Sequence, residues 1–100
     1  MTKYGLHGKL KAVKGEGDAL VEILVRASSL VSTAQGCHLY MVSRDSQENE
    51  SVWVTEVWDS KEDHDQSLKM EGVRALISQA MPLLDGQPEK GLVLEVLGGI

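Results

Sequence analysis

The residues of this chain best suited to acid–base and aromatic chemistry lie in one stretch, VWVTEVWDSKEDHDQSL, residues 52–68. Both tryptophans of the chain are here, and His64 follows Trp58 by six residues. An imidazole, whose unperturbed pKa is about 6.5, accepts a proton near neutral pH. An indole ring suits the wall of a mostly apolar pocket. Trp58 and His64 are therefore candidate catalytic residues, and the alternatives are a core tryptophan and a solvated helix-surface histidine.

A predicted β-hairpin brings further candidates to the same place. CHLYMVSR (37–44) and SVWVTEVW (51–58) are rich in β-branched and aromatic residues, and the polar segment DSQENE lies between them, which predicts two paired strands. We place the centre of the hairpin at residue 48, although a slip of one residue would move every side chain to the other face. In this register His38 lies opposite Trp58 and Tyr40 opposite Glu56.

The helix that follows the hairpin completes the candidate site. Leu68 lies one turn beyond His64 on the same side of this helix. With Tyr40 it is a candidate substrate-binding residue in a small pocket. His38 and His7, both on predicted strands, are alternative proton acceptors; His38 is thus a further catalytic candidate, and His7 is also a candidate substrate-binding residue. Glu56 is interpreted as structural: a carboxylate inside a strand is costly unless it is paired, so we expect Tyr40 or Arg26 as its partner.

The elements that must position these side chains follow the order strand, helix, strand, strand, helix, strand. This order predicts an α+β, ferredoxin-like βαββαβ fold, with a four-stranded antiparallel sheet and both helices on one face. Ser60, with Asp63 three residues later, has the pattern of a helix cap. Residues 1–100 fit one domain. The predicted elements are a strand over 3–14, a helix over 18–33 ended by Gly36, strands over 37–44 and 51–58, a helix over 60–82 that pauses near Gly72, and a strand over 91–98.

The sheet is also expected to have a second apolar face. Leu39 and Met41 in one strand, and Trp53 and Val57 in the next, have the opposite parity to Trp58. An antiparallel sheet with one face in water should alternate apolar and polar residues instead. Because the two helices cover only one face, we expect the other to be the interface of a homodimer.

Composition and charge narrow the class of protein. The net charge of −5 and the pI near 5.1 argue against nucleic acid or a membrane surface as a partner. The single cysteine cannot form an intrachain disulfide, and no Cys/His spacing resembles a metal site. The N-terminus MTKYGLHGK lacks the apolar core of a signal peptide, and no apolar run approaches the length of a membrane span. We therefore expect a cytoplasmic protein.

Three segments resemble the antibiotic biosynthesis monooxygenase (ABM) domain, in particular its small quinol monooxygenase-like members. They are GCHLY at 36–40, VWVTEVWDSKEDHD at 52–65 and VRAL at 73–76, and the E-x-W-x-S tract is the most specific. The resemblance implies two ferredoxin-like domains paired as a dimeric α+β barrel. It also implies oxidation of a small electron-rich aromatic substrate, quinol- or polyketide-like, by O₂ without metal, flavin or haem.

The resemblance assigns roles to individual positions and also shows departures. Trp58 matches a pocket tryptophan of the polyketide-oxidising members, and His64 falls where those members carry a tyrosine. Val54 falls where they carry an asparagine, as a substrate-binding position. Because valine cannot hydrogen-bond a substrate, this departure favours a simpler one, and it leaves open a non-enzymatic, small-molecule-binding or stress-related dimeric barrel. The haem-degrading branch fits worse, since SLKMEGVRALI lacks its tryptophan and its iron-ligating histidine.

Overall fold

One antiparallel sheet and three α-helices build the computed structural model, which describes residues 2–100. The elements are strand β1 (Lys3–Lys11), helix α1 (Gly17–Val31), strands β2 (Cys37–Arg44) and β3 (Ser51–Trp58), helices α2 (Lys61–Ser67) and α3 (Glu71–Ala80), a 3₁₀ helix (Met81–Leu83) and strand β4 (Leu92–Val96). The strand order β2-β3-β1-β4 is that of the predicted ferredoxin-like α+β fold. Within residues 2–100, no helix has both the length and the apolar character that crossing a bilayer requires.

The predicted second helix is two helices, and its break lies earlier than expected. Ser60 caps α2 as predicted, because its Oγ accepts a hydrogen bond from the Asp63 amide at 3.1 Å. After Ser67 the amides of residues 68–70 bond to carbonyls three residues back, which tightens and ends the helix. Gly72 lies inside α3 instead of at the break. A Cβ there would lie 2.7 Å from Leu30 Cδ2, so this glycine allows α3 to pack closely on α1.

The helices pack on one face of the sheet around two groups of buried side chains. Leu20 of α1 and Val52 of β3 are fully buried in the first group, together with Ala12, Leu24 and Ala80. Trp58 is fully buried in the second group, with Val31 of α1 and Val73 of α3. Trp58 is therefore held between the sheet and both of the longer helices.

The hairpin register agrees with the prediction except at its open end. Tyr40 lies opposite Glu56 as expected, but a β-bulge between residues 37 and 39 places Cys37 opposite Trp58. The predicted pairing of His38 with Trp58 is therefore wrong. A bulge adds one unpaired residue and re-aims its side chain. His38 therefore has no partner residue in the β2–β3 pairing, and its Nε2 lies 2.6 Å from Asp59 Oδ1.

The face of the sheet away from the helices, called the outer face below, carries the second tryptophan. Trp53 and Trp58 point to opposite faces as predicted, and the ring of His7 stacks on Trp53 at 4.8 Å. His7 Nδ1 also lies 2.9 Å from Thr55 Oγ1. Apolar side chains on this face are those of Leu39, Met41, Trp53, Val57, Leu92, Leu94 and Val96.

Candidate functional site

A cavity of about 200 Å³ lies between the sheet and the helices. Most of its wall is aliphatic. Leu68, Ile77 and Met81 line the cavity and are also exposed to solvent, so they mark its mouth. Three polar residues, Tyr40, Glu56 and Ser67, contribute to the wall. The aliphatic side chains come mainly from α1 and α3: Ile23, Leu24, Ala27, Val31, Val73 and Leu76.

Glu56 is the carboxylate of this wall, and the rings of Trp58 and His64 lie next to it, on the side away from the cavity. The buried Trp58 donates a hydrogen bond from Nε1 to Glu56 Oε1 at 3.0 Å. His64 Nε2 lies 3.9 Å from the same oxygen, and the rings of Trp58 and His64 meet edge to face with centroids 5.8 Å apart. We call these three residues the Glu56 cluster. It is a mostly enclosed polar group, because the Glu56 and His64 side chains are only 15% and 14% exposed.

The position of His64 follows from the local structure of α2. The Ser60 cap starts the helix, and one turn later the His64 ring meets the Trp58 ring of β3. Its Nδ1 lies 3.0 Å from Asp65 Oδ1, and Asp65 in turn accepts a hydrogen bond from Lys61 at 2.7 Å. If Nδ1 donates to Asp65, the nitrogen that faces Glu56 is the one that can take up a proton. The position of His64 excludes the alternative of a solvated helix-surface residue.

The charge state of Glu56 differs from that of an exposed carboxylate. Burial raises the pKa of Glu56, and the hydrogen bond from Trp58 and the charge of His64 offset only part of this effect. The expected partners were wrong: Trp58 is the donor in place of Tyr40, and Arg26 pairs with Glu22 at 2.7 Å instead. Glu56 is thus a carboxylate that holds its proton at a higher pH than usual, at the wall of a cavity.

Tyr40 provides the second polar group of the wall. It lies directly opposite Glu56 in the β2–β3 ladder, so both side chains point to the same face of the sheet. Burial, and next the Glu56 carboxylate, raise the pKa of Tyr40 well above its ordinary value of 10. Its hydroxyl therefore stays protonated across the physiological range and can donate a hydrogen bond.

The structure brings some of the predicted site residues together and separates others. Tyr40 and Leu68 line the cavity, and Trp58 and His64 lie next to it through Glu56. His38 lies beside Asp59 at the bulge, and His7 is on the outer face. Val54 packs against the group around Leu20 and Val52. Within residues 2–100, no three His, Cys, Asp or Glu side chains are grouped to hold a metal ion.

Glu56 is the site residue whose role the sequence did not reveal, since its pattern indicated a structural, paired carboxylate. Its signal was present: a carboxylate stands at an inward-facing strand position, two residues from Val54 and two from Trp58. Periodicity alone indicates that such a side chain points inward, but it does not distinguish a paired structural carboxylate from one that faces a cavity. The cavity is a property of the packed helices.

Replacement of Glu56 by glutamine is expected to stabilise the protein in a pH-dependent way. Since the pKa of Glu56 is raised above 4.5, the folded protein binds this proton more tightly than the unfolded chain does. The associated stability is full below pH 4.5 and is lost as the pH rises through the raised pKa. Glu56→Gln keeps an oxygen for Trp58 Nε1, so its free energy of unfolding should exceed that of the wild type at pH 7.

Urea unfolding at pH values from 4 to 8 checks this expectation. The advantage of Glu56→Gln should shrink toward zero at the acid end. Glu95→Gln, an exposed glutamate on β4, is the matched control and should show no such trend. A difference between Glu56→Gln and the wild type that does not change with pH would contradict the assignment.

Comparisons with known proteins agree with this fold and place the chain in a family. The model of the antibiotic biosynthesis monooxygenase family matches residues 4–79, which include the whole Glu56 cluster. A solved structure from Chloroflexus aurantiacus J-10-fl, named "putative antibiotic biosynthesis monooxygenase", is 37% identical and covers 98% of this chain and 96% of that chain, with a TM-score of 0.87.

More distant structures share the fold. One of the same name from Deinococcus radiodurans is 24% identical, covers 97% of this chain and 93% of that chain, and has a TM-score of 0.76. Another from Caulobacter crescentus CB15 is 17% identical, covers 97% and 92%, and has a TM-score of 0.86. No curated protein matches the chain. From the family match over residues 4–79, the chain belongs to the antibiotic biosynthesis monooxygenase family.

Proposed function

We propose that this protein is a monooxygenase that oxidises a small electron-rich aromatic substrate, quinol- or polyketide-like, with O₂ and without a cofactor. The observation that carries the proposal is the apolar cavity whose polar end is Glu56, backed by Trp58 and His64. A mostly apolar pocket with a few convergent polar groups is typical of small-molecule sites. Membership of the monooxygenase family supports the same reaction class.

In this reaction the protein needs only to bind the substrate and to transfer its proton. A substrate hydroxyl loses its proton, and the electron-rich anion passes an electron to O₂. A bond forms between a ring carbon and oxygen, the O–O bond breaks, and the second oxygen leaves as water with the ring hydrogen. A hydroquinone thus becomes a hydroxyquinone, and all four electrons that reduce O₂ come from the substrate. The aliphatic wall would keep water away from the reactive intermediate.

Each residue near the cavity has a part in this proposal. Leu68 and the aliphatic wall hold the ring, and Tyr40 donates a hydrogen bond to an oxygen of the substrate. Trp58 fixes the Glu56 carboxylate. His64, with Nδ1 held by Asp65, stores or passes on the proton that reaches the cluster.

Oxygen consumption tests the proposal. Purified protein with a chelator should consume O₂ in the presence of at least one member of a panel of hydroquinones and anthrones. His64→Ala should lower turnover about 100-fold, because general acid–base groups contribute about 10²–10⁴-fold. Gln66→Ala, an exposed change on the same helix, should leave turnover unchanged. No O₂ consumption with any member of the panel would overturn the proposal.

The cavity also bears on the non-enzymatic alternative. That alternative depended on valine at position 54 in place of a hydrogen-bonding residue. Val54 packs among Leu20, Val52 and their neighbours, so it takes no part in the polar end of the cavity. The hydrogen-bonding groups there are Glu56 and Tyr40, and the enzyme is therefore the better-supported function.

We also propose that two copies of the chain pair through the outer face. Met41, Leu92 and Leu94 are 45%, 59% and 46% exposed there, beside the stacked rings of His7 and Trp53. Contiguous apolar surface of this kind usually marks an interface. A small domain also gains stability by burying such a face against a partner. The cavity lies on the other face of the sheet and remains open to substrate in such a dimer.

A further inference from the structure

The size of the cavity limits the substrate. A cavity of about 150 Å³ in a protein core admits benzene. The cavity here, at about 200 Å³, has room for one ring with small substituents. Three fused rings of the anthrone type exceed the volume that the same packing of rings allows within about 200 Å³. Of the two substrate types considered above, the volume favours the quinol.

The charge of the wall limits the substrate further. Among residues 2–100, the ionisable side chains that line the cavity are Tyr40 and Glu56, and no lysine or arginine lines it. An anionic substituent would lose its hydration without gaining a cation, and it would approach the Glu56 carboxylate. The substrate that fits this wall is neutral.

The two polar groups are placed to act on one hydroxyl. Residues directly opposite in an antiparallel pair have Cβ atoms about 4.5–5.5 Å apart, and Tyr40 and Glu56 are such a pair. A phenolic oxygen between them can accept a hydrogen bond from Tyr40 and donate its own to Glu56. Trp58 and His64 both approach Glu56 Oε1, so Oε2 is the oxygen that meets the substrate.

We propose that Glu56 is the proton acceptor of this site and that it acts on the hydroxyl of a neutral, single-ring phenol. This inference rests on the proposed oxygenase function. The O–H bond of the substrate breaks, its proton passes to Glu56 Oε2, and the electron pair stays on the phenolate oxygen that reduces O₂. The negative charge thereby moves from Glu56 to the phenolate. When the O–O bond breaks, Glu56 gives up the proton, which leaves in the water.

The environment of Glu56 supports this role. Burial raises the pKa of Glu56. The difference between this pKa and that of a phenol, about 10, is therefore smaller, which makes proton transfer from the phenol to Glu56 less unfavourable. Trp58 holds the carboxylate in one orientation, and the nearby His64 ring lies where a positive charge would stabilise the bound phenolate. His64 thus acts through Glu56, by exchanging a proton with the cluster, whereas Glu56 touches the substrate.

Binding without turnover tests the choice of substrate. Under anaerobic conditions, calorimetric titration with hydroquinone should show saturable binding. 4-Hydroxybenzoate, of similar size but anionic, should bind at least about 30-fold more weakly, and anthrone should not bind at its solubility limit. Stronger binding of 4-hydroxybenzoate or anthrone than of hydroquinone would overturn the inference. O₂ consumption with anthrone would at the same time leave the proposed oxygenase function standing.

Kinetics of hydroquinone oxidation test the role of Glu56. In the wild type, kcat/KM should rise with pH along an acidic limb whose midpoint lies above 4.5, as Glu56 ionises. Glu56→Gln should show no such acidic limb, and its kcat should be about 10²–10⁴-fold lower than that of the wild type. Its KM should stay within about threefold of the wild-type value. Glu95→Gln should keep the acidic limb and the wild-type kcat. A Glu56→Gln protein with the wild-type kcat and pH profile would overturn the assignment, since a purely structural role predicts that result.

Discussion

Trp58→Ala is expected to lower the free energy of unfolding by about 3–5 kcal/mol. The Trp58 side chain is fully buried between the sheet, α1 and α3, so its removal leaves a large cavity in the second group of core residues. Loss of the indole N–H also leaves Glu56 without its hydrogen-bond donor. Because small domains have a total stability of about 5–15 kcal/mol, this one change removes a large share of it.

Urea unfolding followed by circular dichroism checks this expectation. Trp58→Phe is the matched variant. It keeps an aromatic ring and loses the Nε1 donor, and it should cost about 1–3 kcal/mol. This smaller loss keeps the comparison measurable even where Trp58→Ala is unfolded at 25 °C. A Trp58→Ala protein within 1 kcal/mol of the wild type would show that the ring does not have the buried position described above.

Leu94→Asp is expected to convert a homodimer to a monomer. Leu94 lies near the middle of β4 on the outer face, opposite Gly5 of β1. In the proposed dimer this side chain is covered, and an unpaired carboxylate buried there costs several kcal/mol. A cost of about 4 kcal/mol corresponds to a rise of about 1,000-fold in the dissociation constant.

Sedimentation equilibrium over a range of protein concentrations measures this effect. Val93→Asp is the matched control, because Val93 is the preceding residue of the same edge strand, points to the opposite face and is 65% exposed. It should leave the dimer intact. A wild-type protein that stays monomeric at every concentration, or a Leu94→Asp protein that still dimerises, would contradict the pairing through the outer face.

Predictions that depend on short-range patterns in the sequence are confirmed by the structure. Strand alternation correctly separates Trp53 from Trp58, because successive side chains of a strand point to opposite faces. The Ser60 cap is correct, because a side-chain oxygen three residues from an amide needs no distant partner. The order of the elements was sufficient for the ferredoxin-like fold, since few topologies connect strands and helices in that order.

Predictions that depend on how separate segments meet were less successful. The bulge that removes His38 from the site changes the pairing by one residue, and no local pattern in GCHLY indicates it. The break in the second helix was misplaced because Gly72 was interpreted as a helix breaker, whereas it provides close packing against Leu30. Both features depend on contacts between residues far apart in the chain.

Except at the bulge around His38, the amino-acid sequence by itself determined which side chains point inward and which elements carry them, because strand and helix periods are local properties. Only the tertiary structure decided that Glu56 faces a cavity, that Trp58 is its hydrogen-bond donor, and that His7 and His38 lie elsewhere. The physical reason is that a cavity is the volume left between packed elements. It depends on the helices and the sheet together, and no single segment of the chain specifies it.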